Sequence, residues 1–481
     1  MRARWLLVAV FAVLATANSA GYRYGASDEA FYIPAVLRHL DPVLFPRDAV
    51  LIDSQAKLTV VDEALAAAVR VTGASLQHLF LLLYLVTLAL FAGALLRIGR
   101  VLYANAWTIS ALVIALTLRH SIARTGTNTL EAYFHPRQLT FALGAWALAM
   151  VLEGRIAWAA ALVAIGLVIH STTGVWFAVW VGIALVWQHP AWRRYAAAGA
   201  MVAAAVSGVL LWRGPLAGHL VRMDAEWLAV IASKDYLFPL DWPVAAWTTN
   251  LIAIPIVVLG WRARAGSGRL APGETAVTAG VLALVVVFLA WLPFNAARVA
   301  LAVQLQVSRI FWMLDFWATV YAVWWLSEKW RVVLTAMLLA ASVARGAYVM
   351  LVEFPARPLF AVDIENTDWR DAMTWARSTD PRSGWLADPA HAARYGISLR
   401  AAAGRDVLIE ELKDTAIAMY DRSIAMRVAD RERALEQHPW NTAEGARELA
   451  AGYDLDYLVT DTRLPLPLAH TAGSLFIYRI R

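Results

Sequence analysis

The chain has 481 residues, of which 60% are hydrophobic and only 16% are charged, and its formal net charge is +6. Soluble domains are about 45–50% apolar and about 25% charged, so this composition excludes a soluble fold and predicts a polytopic membrane protein. The absence of cysteine excludes disulfides, thiolate nucleophiles and thiolate metal sites. Much of the basic excess lies in short loops and no glycine-rich phosphate motif is present, so we expect no nucleic-acid partner.

Apolar runs predict about eleven transmembrane helices in this α-helical membrane protein. Several runs are nearer to about 16 than to about 20 residues, which is short for a hydrocarbon core of about 30 Å. The predicted spans are 5–20, 76–96, 105–118, 138–153, 156–171, 173–188, 195–212, 246–261, 274–293, 310–327 and 332–351.

Every second loop is short and basic, which predicts that these loops and the N-terminus lie in the cytoplasm. An odd number of spans then places the C-terminal part outside. One inner loop, 262–273, reads RARAGSGRLAPG and is predicted to be flexible. The basic residues of the inner segments are Arg2, Arg4, Arg97, Arg100, Arg155, Arg193, Arg194, Arg262, Arg264, Arg269, Lys329 and Arg331.

The first span has a second interpretation. It begins with MRAR and ends with ANSA, which is the arrangement of a secretory signal with a small-residue cleavage site. Cleavage of residues 1–20 would leave ten spans in the same orientation.

The C-terminal residues 353–481 differ in character from the transmembrane domain predicted over 1–352. They are charged throughout and contain no apolar span, so we predict a small extracytoplasmic α/β domain. A helix is predicted at 368–377 with Asp368 as its cap. Short strands are predicted at GWLADP, RDVLIEEL, DYLVTD and SLFIYRI.

The outer segments are long and chemically varied, in contrast to the inner loops. The first covers 21–75 and contains the acidic stretch SDEAFYIP and a predicted amphipathic helix, LTVVDEALAAAVR. His, Asn, Gln, Asp, Glu, Arg and Trp gather on this one side of the membrane, which indicates a functional cavity open to the outside. The other outer segments are 119–137, 169–176, 213–245 and 294–309.

Asp28 and Glu29 follow the first span almost immediately. As sequence neighbours they point in different directions and do not by themselves form a carboxylate pair. Desolvation at a membrane boundary raises the pKa of a carboxylate and suits it to general-base catalysis. The alternative is that Asp28 caps a helix over AFYIPAVLRHL.

The stretch EAYFHPRQ places Glu131, His135 and Arg137 directly before a span. A helix would put Glu131 and His135 on one face, where they could bind a metal or a phosphate. Pro136 argues instead for a bent entry turn. Interfacial anchoring is the alternative role for each of these residues.

Four further polar residues lie near the outer ends of predicted spans. His170 ends its span and is either a structural hydrogen-bonding group or a functional one. Arg298 and Arg309 flank AVQLQVS and suit a lipid phosphate, with snorkelling as the alternative. Asp315 is the carboxylate most deeply placed in a span, and we expect it to pair with an arginine such as Arg309.

Taken together, these features resemble the GT-C superfamily of membrane glycosyltransferases. The likeness lies in an N-in first helix followed by a long outer loop with the acidic SDEAFYIP motif, about eleven spans, and an extracytoplasmic C-terminal domain. The stretches DEAFYIPAVLRHLDPVLFPRD, YFHPRQLTFALGAWAL and IHSTTGVWFA resemble bacterial GT-C-like membrane proteins of mostly unassigned activity. The resemblance favours an uncleaved first helix and a multi-pass location in the plasma (inner) membrane.

The resemblance implies hexosyl or pentosyl transfer, usually with inversion, from a polyprenyl-phosphate-linked donor to a glycan, lipid or protein acceptor of the cell envelope. In that family an acidic residue of the first outer loop is the catalytic base or a metal ligand. Asp28 is then the candidate base and Glu29 the second candidate. The candidates for binding the donor phosphate are His135, Arg137, His170, Arg298 and Arg309, with Glu131 and Asp315 in supporting positions.

Two departures from the family pattern leave alternatives open. The chain has no WWD motif of the oligosaccharyltransferase type, so we do not expect protein N-glycosylation. It has no clear second acidic motif, so a divalent metal cofactor, Mg²⁺ or Mn²⁺, is left open. The other hypotheses are a non-catalytic GT-C-like scaffold that binds lipid or a partner and, less favoured, a lipid or solute transporter, which would place its polar sites near the midplane.

Overall fold

The computed structural model describes residues 2–214, 216–365 and 367–481, with side chains from residue 4 onward. The chain forms two compact units built from interleaved segments. The bundle unit consists of Met1–Tyr22, Leu82–Arg222 and Asp235–Leu359, and the sheet unit consists of Arg23–Leu81, Met223–Lys234 and Phe360–Arg481.

The helices and strands are numbered in chain order. The helices are α1 (Arg2–Asn18), α2 (Glu29–Leu40), α3 (Ala49–Ala56), α4 (Val61–Thr72), α5 (Leu76–Leu102), α6 (Ala106–Ala115), α7 (Pro136–Leu152), α8 (Ile156–Ile169), α9 (Ser171–Gln188), α10 (Arg193–Arg213), α11 (Ala225–Ile231), α12 (Val244–Leu251), α13 (Ala253–Gly266), α14 (Glu274–Ala296), α15 (Ala300–Gln304), α16 (Ile310–Tyr348), α17 (Asp368–Arg377), α18 (His391–Arg394), α19 (Leu399–Ala403), α20 (Glu411–Ile417), α21 (Arg422–Gln437) and α22 (Ala443–Tyr453). The strands are β1 (Tyr22–Arg23), β2 (Ser121–Ile122), β3 (Thr127–Asn128), β4 (Phe360–Ala361), β5 (Gly384–Leu386), β6 (Asp406–Val407), β7 (Tyr457–Thr460), β8 (Leu468–Ala472) and β9 (Leu475–Arg479).

Helices long and apolar enough to cross a membrane support a membrane protein, but they do not confirm the predicted count of eleven. Six segments of the described chain meet this length and composition: Leu76–Leu102, Ser171–Gln188, Pro190–Arg213, Val244–Gly266, Glu274–Ala296 and Ala300–Glu353. The last two predicted spans, 310–327 and 332–351, lie on the two sides of a break within α16, where Trp330 has a non-helical φ of −126° and ψ of 28°. Three more apolar helices are shorter: Arg4–Asn18, Ala106–Ala115 and Ile156–Ile169.

Aromatic side chains fill the interior of the bundle unit, where α7 packs on α8 and α9 and α14 packs on α9. The rings of Phe141 and Trp312 stack with centroids 3.8 Å apart. Trp180 is fully buried and donates a hydrogen bond to the Val277 carbonyl at 2.8 Å. A Cβ atom at Gly280 would lie 2.6 Å from the Trp180 ring, so α14 can approach α9 this closely only with glycine there.

The loops predicted to lie inside meet at one end of the bundle unit. Arg97 and Glu153 form a bidentate ion pair there. Arg264 is 1% exposed and donates to Glu274 at 2.5 and 2.9 Å. The prediction of a flexible loop over 262–273 is therefore wrong at its start. Helix α13 continues through the first residues of this stretch, and the buried ion pair fixes the end of α13 against α14.

The sheet unit contains a five-stranded mixed sheet with the strand order β6-β5-β7-β9-β8. Strand β5 runs parallel to both of its neighbours, and β9 runs antiparallel to both of its neighbours. The sheet supports the prediction of a small domain with strands in the charged C-terminal region, whereas the bounds 353–481 and the extracytoplasmic location stay predictions. Each of the four predicted stretches contains a strand of this sheet, namely β5, β6, β7 and β9 in chain order.

Two local predictions in the same region are corrected. The stretch RDVLIEEL contributes a strand only at Asp406–Val407, and its last residues begin α20. Helix α17 has the predicted bounds, but Thr367 is its N-cap and accepts a hydrogen bond from the Arg370 N–H. Asp368 instead accepts hydrogen bonds from Ser474, which ties the start of α17 to the β8–β9 turn.

A buried ionic network joins the first outer segment to the C-terminal part of the sheet unit. Asp48 is fully buried and accepts a hydrogen bond from Arg400 at 2.6 Å. Arg427 also pairs with Asp48. Arg400 in turn donates to Asp414 at 2.6 and 3.0 Å. Residues 352 positions apart in the sequence are thus held together by charge-assisted hydrogen bonds.

Candidate functional site

Four of the residues predicted to bind phosphate come together in the bundle unit. The rings of His135 and His170 lie with centroids 5.9 Å apart. The side chains of Arg309, His135 and Arg137 are all near enough to act electrostatically on His170. We call His135, Arg137, His170 and Arg309 the cationic cluster. Arg298, the fifth predicted residue, instead contacts Asp241 at 3.1 Å and lies over the Phe238 ring.

Three members of the cationic cluster stand at the N-termini of long helices. His135 is the N-cap of α7, His170 is the N-cap of α9, and Arg309 is the N-cap of α16. Helix N-termini carry a partial positive charge and unsatisfied N–H groups, which favour an anion. The backbone of three helices therefore adds to the positive potential of the side chains.

The helix starts also fix the tautomers of the two histidines. The Nδ1 atom of His135 accepts a hydrogen bond from the Arg137 N–H at 3.0 Å, and that of His170 accepts from the Thr173 N–H at 3.3 Å. A backbone N–H can only donate, so each Nδ1 atom is unprotonated and each Nε2 atom carries the hydrogen. Both imidazoles are thus neutral donors through Nε2.

Glu131 holds Arg137 in place within the cluster. It is 5% exposed and accepts a hydrogen bond from Arg137 at 2.9 Å. Asn128 donates to the same carboxylate at 3.2 Å, and Arg119 lies 4.0 Å from it. The helix that would place Glu131 and His135 on one face does not form, because α7 begins only at Pro136. Glu131 is therefore a positioning residue for Arg137.

The members of the cationic cluster differ in exposure. His135 and Arg137 are each only 4% exposed, whereas His170 and Arg309 are half-buried. Gln306, three residues before Arg309, has a left-handed backbone with φ of 46°, which turns the chain sharply ahead of α16.

The predicted pairing of Asp315 with an arginine is wrong. Asp315 accepts a hydrogen bond from the Nε2 atom of His120 at 3.1 Å, and this bond raises the pKa of His120. The side chain of Asp315 is 31% exposed, so it is less deeply placed than its position in an apolar stretch indicates. Sequence reasoning missed His120, because nothing in its spacing connects it with a residue 195 positions later.

The two candidate bases lie in the sheet unit, at the start of α2. Glu29 is fully buried, and its carboxylate accepts a hydrogen bond from the Gly25 N–H at 2.5 Å. Asp28 is the N-cap of α2, but its side chain makes no capping hydrogen bond. The Asp28 carboxylate pairs instead with Lys413 at 2.8 Å and is 29% exposed. Of the two acids, Asp28 is the one that a substrate can reach.

The metal left open by the sequence has one group of potential ligands among the described residues. Ligand atoms of His39, Asp62 and Glu63 lie within 4.8 Å of one another, although His39 and Asp62 already hydrogen-bond to each other. Asp28 and Glu29 do not belong to this group. Mg²⁺ and Mn²⁺ require several oxygen ligands, and Asp28 faces a lysine, so the predicted acids do not fit such a metal. We derive no step through a metal.

No family model and no curated protein matches the sequence. Among solved structures, the chain is similar to the archaeal oligosaccharyltransferase AglB from Archaeoglobus fulgidus, determined in complex with an inhibitory peptide and a dolichol-phosphate. The similarity covers 95% of this chain and 69% of that chain, at 11% sequence identity and a TM-score of 0.37. At that level of similarity nothing follows about the activity or the residues of this chain.

Proposed function

We propose that this protein is a GT-C-type membrane glycosyltransferase that moves a sugar from a polyprenyl-phosphate-linked donor to an acceptor hydroxyl at the outer face of the plasma membrane. The observation that carries the proposal is the cationic cluster at the N-termini of α7, α9 and α16. A lipid-linked donor keeps its tail in hydrocarbon and its phosphate at the interface. The Arg309 charge and the N–H donors of the histidines and helix starts, at the end of the bundle, meet both needs.

The proposed reaction is a single displacement. A general base takes the proton of the acceptor hydroxyl, whose oxygen forms a bond to the anomeric carbon of the donor sugar, and Asp28 of the sheet unit is the candidate for that base. The bond between that carbon and the phosphate oxygen breaks, and its electron pair leaves with the polyprenyl phosphate. Arg309, together with the Nε2–H groups of His135 and His170, stabilises the charge that develops on the phosphate. Inversion at the anomeric carbon follows from attack opposite to the leaving group.

The membrane orientation in this proposal is N-in with the sheet unit outside. It is supported by the basic residues of the predicted inner loops, which follow the positive-inside rule. The acceptor belongs to the cell envelope and is a glycan, a lipid or a protein.

Loss of the Arg309 charge tests the assignment of the cationic cluster. We expect Arg309→Met to lower the rate of sugar transfer from a polyprenyl-phosphate-linked donor by about 10²–10³-fold, which is typical of removing one group that stabilises a developing oxyanion. The measurement is transfer of radiolabelled sugar by the protein in mild detergent, with fluorescence-detected size exclusion as the check on folding.

Arg298→Met is the matched control, because Arg298 lies over Phe238 and pairs with Asp241. We expect it to retain at least half of the wild-type rate. Equal losses in the two variants would mean that the effect is a general one on the membrane surface and would contradict a specific role for Arg309. Arg309→Lys keeps the charge, and partial retention of activity in that variant is expected.

A further inference from the structure

The sheet unit contains a cavity that the proposed transfer reaction does not use as a phosphate site. Its volume is about 210 Å³. Two cationic side chains and no carboxylate are among its lining residues. The lining residues are Arg23, Gly25, Ser27, Ala30, Ala392, Ala393, Gly396, Ile397, Ser398, Leu412 and Lys413.

Arg23 supplies a planar donor group to the cavity wall. Its side chain is half-buried, and its Nε atom has no hydrogen-bond partner among the residues that the structure describes. Burial lowers the pKa of Arg23, and the charge of Glu365 opposes that shift. Arginine stays protonated in proteins, so the cavity wall carries a fixed positive charge and guanidinium N–H groups that can donate to a ligand.

Lys413 supplies the second positive charge, and its Nζ atom also lies 5.3 Å from the centroid of the Phe31 ring. It is 8% exposed, and its Nζ atom contacts Asp28 at 2.8 Å and the Ser27 hydroxyl at 3.3 Å. An ammonium group has three donors, so a third acceptor can approach from the cavity. Ser27 lines the same cavity and adds a hydroxyl.

The backbone beside these side chains is kept open by glycine. Gly25 has φ of 78°, and a Cβ atom there would lie 2.3 Å from the Ile397 Cδ1 atom. Gly396 also has φ of 78°, and a Cβ atom there would lie 3.6 Å from the Arg23 guanidinium. Glycine at both positions lets the chain approach the cavity closely without a side chain that would fill it.

We infer that this cavity binds a phosphate group, held by the Arg23 guanidinium and the Lys413 ammonium. Arginine matches phosphate in a bidentate manner and lysine adds a point charge. The volume is below the roughly 300–1,000 Å³ of pockets for drug-sized ligands, so only a small phosphorylated group fits. The phosphate belongs either to a soluble phosphorylated molecule or to a lipid headgroup. The inference does not depend on sugar transfer.

Phosphate binding has a consequence for Asp28, because the phosphate and the Asp28 carboxylate compete for the Lys413 ammonium. A phosphate that engages the Lys413 ammonium weakens its contact with Asp28. Asp28 then loses part of the positive charge that stabilises its ionised form and becomes the stronger base. Occupation of the cavity would thus activate the acid that we propose as the catalytic base.

The test is titration of the detergent-purified full chain with inorganic phosphate and pyrophosphate by isothermal calorimetry, at constant ionic strength. We expect saturable binding to the wild type and at least a ten-fold weaker affinity for Lys413→Met and Arg23→Met. Lys57→Met, which removes an exposed lysine of the same unit, leaves the affinity unchanged.

A second pair of variants covers the case in which loss of Arg23 or Lys413 impairs folding. Ala393 is exposed and lines the cavity, so a side chain there reaches the ligand without disturbing the core. We expect Ala393→Glu to abolish phosphate binding by repulsion, and Ala393→Lys to retain or strengthen it. Equal affinity in these two variants, or no binding by the wild type, would overturn the inference.

Nanodiscs distinguish the two sources of phosphate. In discs of phosphatidylcholine with about 10% phosphatidic acid, a cavity that accepts lipid headgroups enriches phosphatidic acid around the wild type but not around Ala393→Glu. A cavity for soluble molecules shows no such enrichment while it still binds inorganic phosphate. Either result supports the phosphate site, and loss of both signals in the wild type contradicts it.

Discussion

We expect Asp28→Asn to abolish sugar transfer while the protein still inserts and folds. A general base contributes about 10²–10⁴-fold to a rate, so activity should fall to the background of the assay. Asparagine keeps the shape of the side chain and still offers Lys413 an amide oxygen, whereas it cannot accept the proton of the acceptor hydroxyl. The measurement is the transfer rate from a polyprenyl-phosphate-linked donor, alongside the melting temperature of each variant.

Glu29→Gln is the comparison that separates the two acids. Glu29 is fully buried and bonded to the Gly25 N–H, so we expect its loss to lower the stability of the turn before α2 rather than the chemical step. Retained turnover in Asp28→Asn would contradict the assignment of the base. If Glu29→Gln alone were inactive at normal stability, the base would be Glu29. Retained turnover in both variants would contradict an acid of the first outer segment altogether.

The largest expected effect on stability is that of Asp48→Asn. Asp48 is fully buried and faces Arg400 and Arg427, so removing its charge leaves these guanidinium groups buried with too little negative charge. Breaking a buried ion pair from one side costs about 3–5 kcal/mol. We expect the melting temperature of the full chain, followed by circular dichroism in detergent, to fall by roughly 10 °C or more.

The matched control is Asp454→Asn. Asp454 also pairs with an arginine, Arg47, but its side chain is 55% exposed. Exposed pairs contribute about 0–1 kcal/mol, so the melting temperature should hardly change. Equal effects of the two substitutions would contradict the view that the buried network holds the first outer segment in the sheet unit.

The network also predicts how stability depends on pH. Burial acts to raise the pKa of Asp48, but the charges of Arg400, Arg427 and Arg431 outweigh it and hold the pKa at about 2. A lowered carboxylate pKa stabilises the folded state above the unfolded pKa of about 3.9, and this contribution is lost as the pH falls toward 2. Asp48→Asn should therefore flatten the loss of stability between about pH 4 and pH 2. An unchanged acid slope would contradict the lowered pKa.

The sequence predicts the helical membrane character and most of the strands of the sheet because both depend on local patterns. Apolar runs give the positions of the spans, and strands such as DYLVTD and SLFIYRI alternate over a few residues. The number of spans is not confirmed, because six segments of the described chain have the length and composition of a span. Hydropathy separates 310–327 from 332–351, and the backbone breaks between them at Trp330, whose φ and ψ are not helical.

The members of the candidate sites were partly predictable because their residue types suit phosphate and proton transfer. Their residue types predict phosphate binding for His135, Arg137, His170 and Arg309, and the bundle unit brings these four residues together. Their partners did not stand out. Lys413 lies 385 residues from Asp28, and a lone lysine in a charged domain carries no signal of that contact.

Long-range ion pairs cannot be identified from the sequence either, and for this reason the predicted pairing of Asp315 with an arginine is wrong. Arg309 is six residues away and His120 is 195 residues away, and proximity in sequence favours the arginine. The start of α16 separates them, because Arg309 caps the helix while Asp315 lies on its first turns and faces the 119–135 segment.

The most direct test of the central claim is native mass spectrometry of the gently purified protein. If the cationic cluster binds the phosphate of a lipid-linked donor, the wild type, Asp28→Asn and Arg298→Met should each carry a polyprenyl phosphate or its sugar-linked form. Arg309→Met should carry much less. The account would be contradicted if no polyprenyl phosphate accompanied the wild type, or if Arg309→Met retained as much of it as Arg298→Met.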